Sequence, residues 1–314
     1  MTSSRPTRGI GVPVPRNDGP AKTTGHAKYT ADVQLEGALF AKTLRSPYSH
    51  ARILNIDTSA AEALPGVHAV VTGNDAPDGA RYGRGIVDIP VIAQGVVRFV
   101  GEQLAAVAAD DEETAERAIE LIDVEYEPLP AVVTVEQAVA PGAAVIHPRM
   151  MSYKGYPNPV TEPTNLYTVF EWTHGDVEAG FLEADEIVQN EFWTPRQHQA
   201  YMEPHSCLVQ EGDDGRMEVW MGNKSPFPTR RQIAGAFDIG EDQVVFNPVT
   251  IGGDFGGKGS PMDAPIAWLL VKKTGRPIRI VFDYTEDLTA ANPRHSSRTI
   301  MKTGLKRDGT IVAH

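Results

Sequence analysis

The chain has 314 residues and a formal net charge of −12, from 29 lysines and arginines against 41 aspartates and glutamates. Its length is enough for two ordinary domains with a buried core, and its acidic balance argues against nucleic acid as a partner. The single cysteine, Cys207, excludes a disulfide framework and a multi-cysteine metal or iron–sulfur site within this chain. With no run of 18 apolar residues and no apolar leader, the sequence predicts a cytoplasmic protein without a membrane partner.

The first part of the chain has a mixed α/β pattern. We expect residues 1–18 to form an extended arm and residues 19–145 to form one domain. A Ser-x-x-Glu capping box at 59–62 predicts a short helix. The clearest unit is 103–130, in which the apolar strand QLAAVAA leads into a helix capped by an aspartate and then into a second strand that ends at prolines.

A stretch rich in proline then divides the chain. Residues 146–165 contain four prolines and little periodicity, which is typical of an interdomain linker. We expect residues 166–314 to form part of a second, incomplete domain, and the whole chain to have an α+β fold. In this segment, Asp176 and Asp263 are placed to cap helices, and Thr229 begins a second capping box.

The densest functional signal is the glycine-rich loop GGDFGGKG at 252–259, which follows a strand predicted over 244–251. Glycines let the backbone approach a ligand closely and direct N–H groups at an anion. Gly252, Gly257 and Lys258 match the spacing of a Walker A phosphate loop, but the next residue is glycine where Mg²⁺ binding needs serine or threonine. A loop that contacts another buried cofactor is therefore favoured, and a turn that only permits tight packing stays open.

Polar side chains that could bind a metal or an anion lie in two further segments. The segment QHQAYMEPHSC contains His198, Glu203, His205 and Cys207, but its spacing matches neither HExxH nor CxxC. Hydrogen-bonded structural groups and a buried, inert thiol are the favoured interpretation. Lys224, at the end of another predicted strand, is either a partner for an anion or a solvated surface lysine.

Seven segments of the chain together resemble the large, molybdenum-binding subunit of the xanthine dehydrogenase, aldehyde oxidase and carbon monoxide dehydrogenase family. They run in order from residue 24 to residue 288 and form a specific set: TGHAKYTADV, LRSPYSHARI, VGEQLAAVAADDEETAERAIELIDVEYEPLPAV, MEPHSCLV, WMGNKSPFPTRRQIA, IGGDFGGKG and GRPIRIVFDYTEDL. The resemblance implies an α/β hammerhead domain over about 19–145 and the first part of a molybdopterin-binding domain over 166–314.

The resemblance also implies which residues contact the cofactor. The loop is similar to the family's GGGFGGK segment, so Phe255 and Gly256 are expected to lie against the molybdenum centre. The same resemblance makes Gly253, Asp254 and Gly257 cofactor-binding residues, with Asp254 in place of a common glycine. Purine-oxidising members have a substrate-binding glutamate where this chain has Gly259, which argues against xanthine as the substrate. Lys224 replaces a glutamine of many members, and its positive charge is expected to favour an anionic ligand.

Cofactors, partners and chemistry follow from the same resemblance. It implies a molybdenum–molybdopterin cofactor, often of the cytosine dinucleotide form, shared with the second half of the large subunit. It implies insertion of oxygen from water into a C–H bond of an N-heteroaromatic or aldehyde-type substrate, with electrons passing to a small 2Fe–2S subunit and a medium FAD subunit. The family's general-base glutamate belongs to the other half of the subunit, so no catalytic residue and no protein ligand to molybdenum is predicted in this chain. The alternative is a hammerhead module without cofactor, acting only in subunit assembly or other protein interactions.

Overall fold

A computed structural model describes residues 13–157 and 162–314 of the chain. The predicted arm lies mostly outside these residues, and so do residues 158–161 of the predicted linker. The strands are β1 (Leu39–Arg45), β2 (Ala51–Asp57), β3 (Val67–Thr72), β4 (Arg81–Tyr82), β5 (Ile89–Pro90), β6 (Val96–Val97), β7 (Gln103–Ala109), β8 (Asp123–Pro128), β9 (Glu186–Thr194), β10 (Ser206–Glu211), β11 (Met217–Met221), β12 (Val244–Asn247), β13 (Ile278–Val281), β14 (Ser297–Leu305) and β15 (Ile311–Ala313). The α-helices are α1 (Gly19–Thr23), α2 (Ser59–Glu62), α3 (Glu112–Glu120), α4 (Val135–Val139), α5 (Val177–Glu183), α6 (Pro226–Ala236), α7 (Ala264–Thr274) and α8 (Tyr284–Ala290). Short 3₁₀ helices lie at Thr30–Asp32, Met150–Ser152 and Glu241–Gln243.

A mixed seven-stranded sheet, ordered β12-β11-β10-β13-β1-β7-β3, joins the two parts of the chain. The strands before the predicted linker are β1, β3 and β7, and the others follow it. The junction is the parallel pairing of β1 with β13, in which Leu39 lies opposite Ile278. The division at 146–165 stays a prediction, and the segments on its two sides share one sheet. The mixture of helices with these strands confirms the α+β class.

Strand β7 is buried along its whole length because helices cover both faces of the sheet. Ala106 and Ala108 face the larger core, which also contains the apolar side of α7, whereas Ala105 and Val107 face a smaller core under α3. The alternation follows the period of two in a strand, and the small alanines let both helices approach closely. The predicted strand–helix–strand unit is confirmed, with Asp111 accepting the first-turn amide of α3.

Two predicted capping boxes are wrong. The helix predicted at 59–62 forms, but Ser59 donates its amide to Asp57 Oδ1 at 2.9 Å instead of capping the helix. Thr229 lies inside α6, which begins earlier because Pro226 suits the first turn of a helix. The buried hydroxyl of Thr229 donates to Asn223 Oδ1 at 3.2 Å, so this side chain holds the segment that precedes the helix.

Asp263 precedes α7, but its side chain does not cap the helix. Its buried carboxylate accepts hydrogen bonds from Thr43 Oγ1 and Arg45 Nη2, both at 2.7 Å, and from Gln103 Nε2 at 3.1 Å. The prediction of a cap was wrong because the guanidinium of Arg45 is buried and needs a carboxylate partner. Asp263 therefore joins α7 to β1 and β7. The predicted cap at Asp176 is confirmed, since its carboxylate accepts the Ala179 amide.

A separate ribbon of β9, β14 and β15 exposes apolar side chains. Strands β9 and β14 pair along nine positions, and α5 packs against β14 and β15. Five large apolar side chains of the β9–β14 pair are between 42% and 61% exposed, and they are Ile187, Phe192, Trp193, Ile300 and Met301. None of the helices in the described ranges is long and apolar enough to cross a membrane.

Candidate functional site

The glycine-rich loop lies between β12 and α7, as the sequence predicts, although β12 is shorter than predicted. The strand ends at Asn247 because Pro248 has no amide hydrogen to continue the ladder. The backbone then takes positive φ values at Gly253 (109°), Phe255 (44°) and Gly256 (103°). Phe255 is a non-glycine residue in a conformation that side chains disfavour, so this segment is held by interactions elsewhere in the loop.

Asp254 supplies those interactions. Its Oδ1 accepts the Lys258 amide at 2.6 Å, its Oδ2 accepts the Gly256 amide at 3.0 Å, and its carbonyl accepts the Gly257 amide at 2.7 Å. Burial alone would raise the pKa of Asp254, but the two amide donors and the Lys224 ammonium outweigh it and hold that pKa below its ordinary value. The carboxylate is thus the internal support of the loop.

Lys224 reaches the loop from the end of β11. Its backbone amide donates to the Lys258 carbonyl at 3.0 Å, and its Nζ lies 3.1 Å from Asp254 Oδ2. Asn223 fixes the same segment by donating to the Ser260 carbonyl at 3.1 Å. Lys224 is therefore paired with the loop while its side chain stays 37% exposed, and its charge is offset by a carboxylate.

Lys258 points away from the loop's exposed side. Its side chain is 1% exposed, and Nζ lies 2.6 Å from Glu203 Oε2, which also accepts the Gly252 amide at 2.6 Å. The ammonium also lies 4.8 Å from the centre of the Tyr201 ring. Because these groups occupy the ammonium, it does not project toward a phosphate as a Walker A lysine does, and the nucleotide-binding alternative loses its support.

The glycine loop packs closely on the Tyr201 side chain. A Cβ at Gly253 would lie 2.9 Å from Tyr201 Cβ, and one at Gly257 would lie 2.7 Å from Tyr201 Cε1. A Cβ at Gly252 would meet Glu203 Cβ at 2.5 Å, whereas one at Gly256 would meet nothing within 4 Å. Three glycines therefore permit close packing, and Gly256 alone among these four faces open space.

Behind Tyr201 lies a buried network centred on Asp287 of α8. The Tyr201 hydroxyl donates to Asp287 Oδ1 at 2.6 Å, the His205 amide donates to Oδ2 at 2.6 Å, and His205 Nδ1 and His198 Nε2 lie 3.0 and 3.2 Å from Oδ1. Burial opposes ionisation, but the contacts with His205 and Tyr201 hold the pKa of Asp287 well below its ordinary value.

His198 and His205 are hydrogen-bonded within this network, and Glu203 is hydrogen-bonded to Gly252 and Lys258, in agreement with the favoured structural interpretation. Cys207 is buried at 3% exposure, and burial raises the pKa of its thiol, as expected of an inert cysteine. Tyr201 and Asp287 were not predicted from the sequence. Asp287 lies 82 positions from His205, and no local pattern marks either residue.

Phe255 and Gly256 border a cavity of about 660 Å³, whose other walls are residues 197–199 and 292–295. Phe255 is 75% exposed. Gln199 donates to the Asn292 carbonyl at 2.9 Å, while its buried Oε1 has no hydrogen-bond partner among the described residues. Of the predicted site residues, Phe255 and Gly256 line this cavity, Asp254 and Lys224 lie beside them, and Gly253 and Gly257 pack on Tyr201. Gln199 and residues 292–295 were not predicted from the sequence to line a site.

Two protein-family models match parts of this chain. A family model described as "Aldehyde oxidase and xanthine dehydrogenase, a/b hammerhead domain" matches residues 24–130. A second, described as "Molybdopterin cofactor-binding domain", matches residues 159–314. The chain is 38% identical to a protein of Bacillus subtilis described as a probable xanthine dehydrogenase subunit, over 95% of this chain and 38% of that protein. It is 30% identical to the nicotinate dehydrogenase large molybdopterin subunit of Eubacterium barkeri over 93% of this chain and 65% of that protein.

Two solved structures have the same fold over nearly the whole chain. Quinoline 2-oxidoreductase from Pseudomonas putida 86 superposes with a TM-score of 0.82 and 29% identity, covering 96% of this chain and 38% of that one. Aldehyde oxidoreductase from Desulfovibrio gigas superposes with a TM-score of 0.84 and 30% identity, covering 95% of this chain and 33% of that one. The chain thus spans about two fifths of the length of several of the proteins it resembles.

Proposed function

We propose that this chain forms part of a molybdenum-binding large subunit, because it belongs to the molybdenum hydroxylase family of xanthine dehydrogenases, aldehyde oxidases and carbon monoxide dehydrogenases. The observation that carries the proposal is the glycine loop with its exposed Phe255 and open Gly256 beside a cavity, within the segment that matches the molybdopterin-binding model. The complete enzyme is then a molybdenum-dependent oxidoreductase, active with its remaining subunits.

The residues around the cavity fit a pterin cofactor. Gln199 offers a buried oxygen without a hydrogen-bond donor among the described residues, and Gly256 leaves room for a ligand against the backbone. In this proposal Lys224, Gly253, Asp254, Phe255, Gly256 and Gly257 form the cofactor-binding loop. When bound, the molybdenum group supplies oxygen transfer and accepts two electrons. Phe255 would exclude water from the bound group, and the Lys224 ammonium would offer it a hydrogen-bond donor.

The proposed substrate is an N-heteroaromatic compound or an aldehyde. The relatives named for nicotinate, quinoline and aldehydes support this class. The reaction inserts oxygen from water into a C–H bond of the substrate, and two electrons pass to a 2Fe–2S centre and then to FAD. We assign these groups to other subunits because Cys207 is the only cysteine and is buried. We assign the general base to the remainder of the large subunit, and we expect the cytosine dinucleotide form of the cofactor.

The proposed partners are the second part of the large subunit, a small 2Fe–2S subunit and a medium FAD subunit in the cytoplasm. The exposed apolar ribbon of β9 and β14 supports a large partner surface, because exposed patches of this kind mark interaction sites. A chain that acts only in assembly, without cofactor, would use the same ribbon but would bind no molybdenum.

The test is purification of the intact complex from its native host, with subunits identified by native mass spectrometry and molybdenum measured by elemental analysis. We expect molybdenum in proportion to this chain and a strong loss of molybdenum or activity for Phe255→Ala. Phe170→Ala is the matched control, because Phe170 is 85% exposed and lies outside the loop. A complete complex without molybdenum would overturn the proposal.

A further inference from the structure

The loop holds the carboxylate of the ion pair between Lys224 and Asp254 in place. Lys224 is anchored through its backbone amide to the Lys258 carbonyl, and its Nζ lies 3.1 Å from Asp254 Oδ2. The carboxylate is held in turn by the amides of Gly256 and Lys258. It cannot turn away from the ammonium without breaking two hydrogen bonds that support the loop. The pair is therefore a built-in feature of the loop and differs from a chance contact between two mobile surface side chains.

The pair also lies next to the residues that border the cavity. Asp254 Oδ2 receives both the Lys224 ammonium and the amide of Gly256, and Gly256 lines the cavity together with Phe255. Both charged side chains keep contact with solvent, at 37% exposure for Lys224 and 21% for Asp254. A molecule bound beside Phe255 therefore experiences the charge of both groups.

The net charge of the Lys224–Asp254 pair is zero, but the Lys224 ammonium has N–H donors beyond the one directed at Asp254. A lone ammonium would attract an anion strongly, whereas the paired one offers a charge-assisted hydrogen bond without net charge. An anionic ligand would also be repelled by the Asp254 carboxylate, and such repulsion is a common source of selectivity. A neutral acceptor such as a carbonyl oxygen or a ring nitrogen gains the hydrogen bond without this repulsion.

We propose that Asp254 is a specificity-determining residue, which lowers the affinity of the loop for anionic ligands relative to neutral hydrogen-bond acceptors by pairing with Lys224. The inference rests on the proposed function, because it takes the ligand to be a small substrate bound beside Phe255. It replaces the expectation from sequence that the charge of Lys224 favours an anion.

The test compares two probes of nearly equal shape, pyridine-3-carboxamide and pyridine-3-carboxylate, in binding to the intact complex. The measured quantity is the ratio of the carboxylate Kd to the carboxamide Kd. Asp254→Asn should lower this ratio roughly tenfold, because it leaves the Lys224 charge without a counter-ion. Lys224→Met should raise it, because the carboxylate of Asp254 is then alone while its bonds to the Gly256 and Lys258 amides stay. Arg294, which also lines the cavity, is the same in every variant and does not affect the comparison.

Opposite shifts in the two variants support the inference. An unchanged ratio in either variant, or failure of both probes to bind the wild-type complex, overturns it. Hydrogen exchange at the Gly256 and Lys258 amides shows whether Asp254→Asn keeps the loop folded, and Lys224→Met tests the inference independently of that result. Molybdenum content separates the two proposals. A complex without molybdenum overturns the proposed function, whereas a molybdenum-loaded complex with unchanged ratios overturns only the role of Asp254.

Discussion

Lys258 Nζ lies 2.6 Å from Glu203 Oε2, and the same oxygen accepts the Gly252 amide at 2.6 Å. The Glu203 carboxylate thus binds groups at both ends of the glycine loop, the Gly252 amide and the Lys258 ammonium. The Lys258 side chain is 1% exposed with its ammonium over the Tyr201 ring, and the Glu203 side chain is 17% exposed, so the pair is largely removed from water. A buried pair of this kind is costly to break from one side, because the remaining charge is left without a partner.

Lys258→Met should therefore destabilise the protein by about 3 kcal/mol, because it leaves the Glu203 carboxylate without its ammonium. The double variant Lys258→Met/Glu203→Gln should recover part of that loss, since no charge is then stranded. The matched control is Lys272→Met, which removes an exposed lysine paired with Glu211 at 2.7 Å and should cost at most about 1 kcal/mol. Urea unfolding measures all three, and equal losses for the two lysines would contradict the role of the buried pair.

The Asp287 network predicts sensitivity to acid. Because the pKa of Asp287 is held below its ordinary value in the folded protein, its contribution is fully present above the unfolded value of about 4 and is lost as the pH falls through the folded pKa. Asp287→Asn should lower the free energy of unfolding at pH 7 by about 2 kcal/mol or more. The difference between wild type and variant should shrink as the pH falls below 4. Unfolding curves that differ by a constant amount down to pH 2 would contradict this prediction.

Because Glu102 is buried, we expect it to give the stability of the protein the opposite pH dependence. It is 1% exposed, and burial raises the pKa of its carboxyl to about 7. Below the unfolded value near 4.5, both states are protonated. Between about 4.5 and 7 only the unfolded state releases the proton, so stability falls by about 3 kcal/mol over this range and stays low above it.

Glu102→Gln should remove this fall, because glutamine keeps a side-chain oxygen for the Arg98 amide without ionising. The variant should match wild type at pH 4 and exceed its stability at pH 8. Urea midpoints of the two proteins at both pH values provide the measurement. A wild type that is as stable as the variant at pH 8 would show that Glu102 does not carry this penalty.

The glycine loop provides a matched pair of substitutions. Gly253 and Gly256 have similar φ values of 109° and 103°, so alanine strains the backbone at both positions. Only at Gly253 would the new Cβ also meet Tyr201 Cβ, at 2.9 Å. Gly253→Ala should therefore cost about 1–3 kcal/mol more than Gly256→Ala. Melting temperatures of both variants test this, and a larger loss at Gly256 would be inconsistent with the packing of the loop on Tyr201.

Local sequence patterns predicted several elements of this protein correctly. The strand β7, the helix α3 with its Asp111 cap and the burial of Cys207 all agree with the predictions from sequence. Periodicity, capping residues and turn residues act over a few positions, so they can be recognised without knowledge of the fold. The glycine loop and its family resemblance were recognised for the same reason.

The tertiary structure alone decided what the side chains of the site do. Asp263 looked like a helix cap, but it is the partner of Arg45, which lies 218 positions away in β1. From the sequence, Lys224 was expected to present its positive charge to an anion, but in the structure it pairs with Asp254. Lys258 matched the position of a phosphate-binding lysine, but its ammonium pairs with Glu203. These pairs depend on the order of strands in the sheet, which brings distant segments together. A carboxylate binds the strongest donor within its reach, and only the fold determines which donor that is.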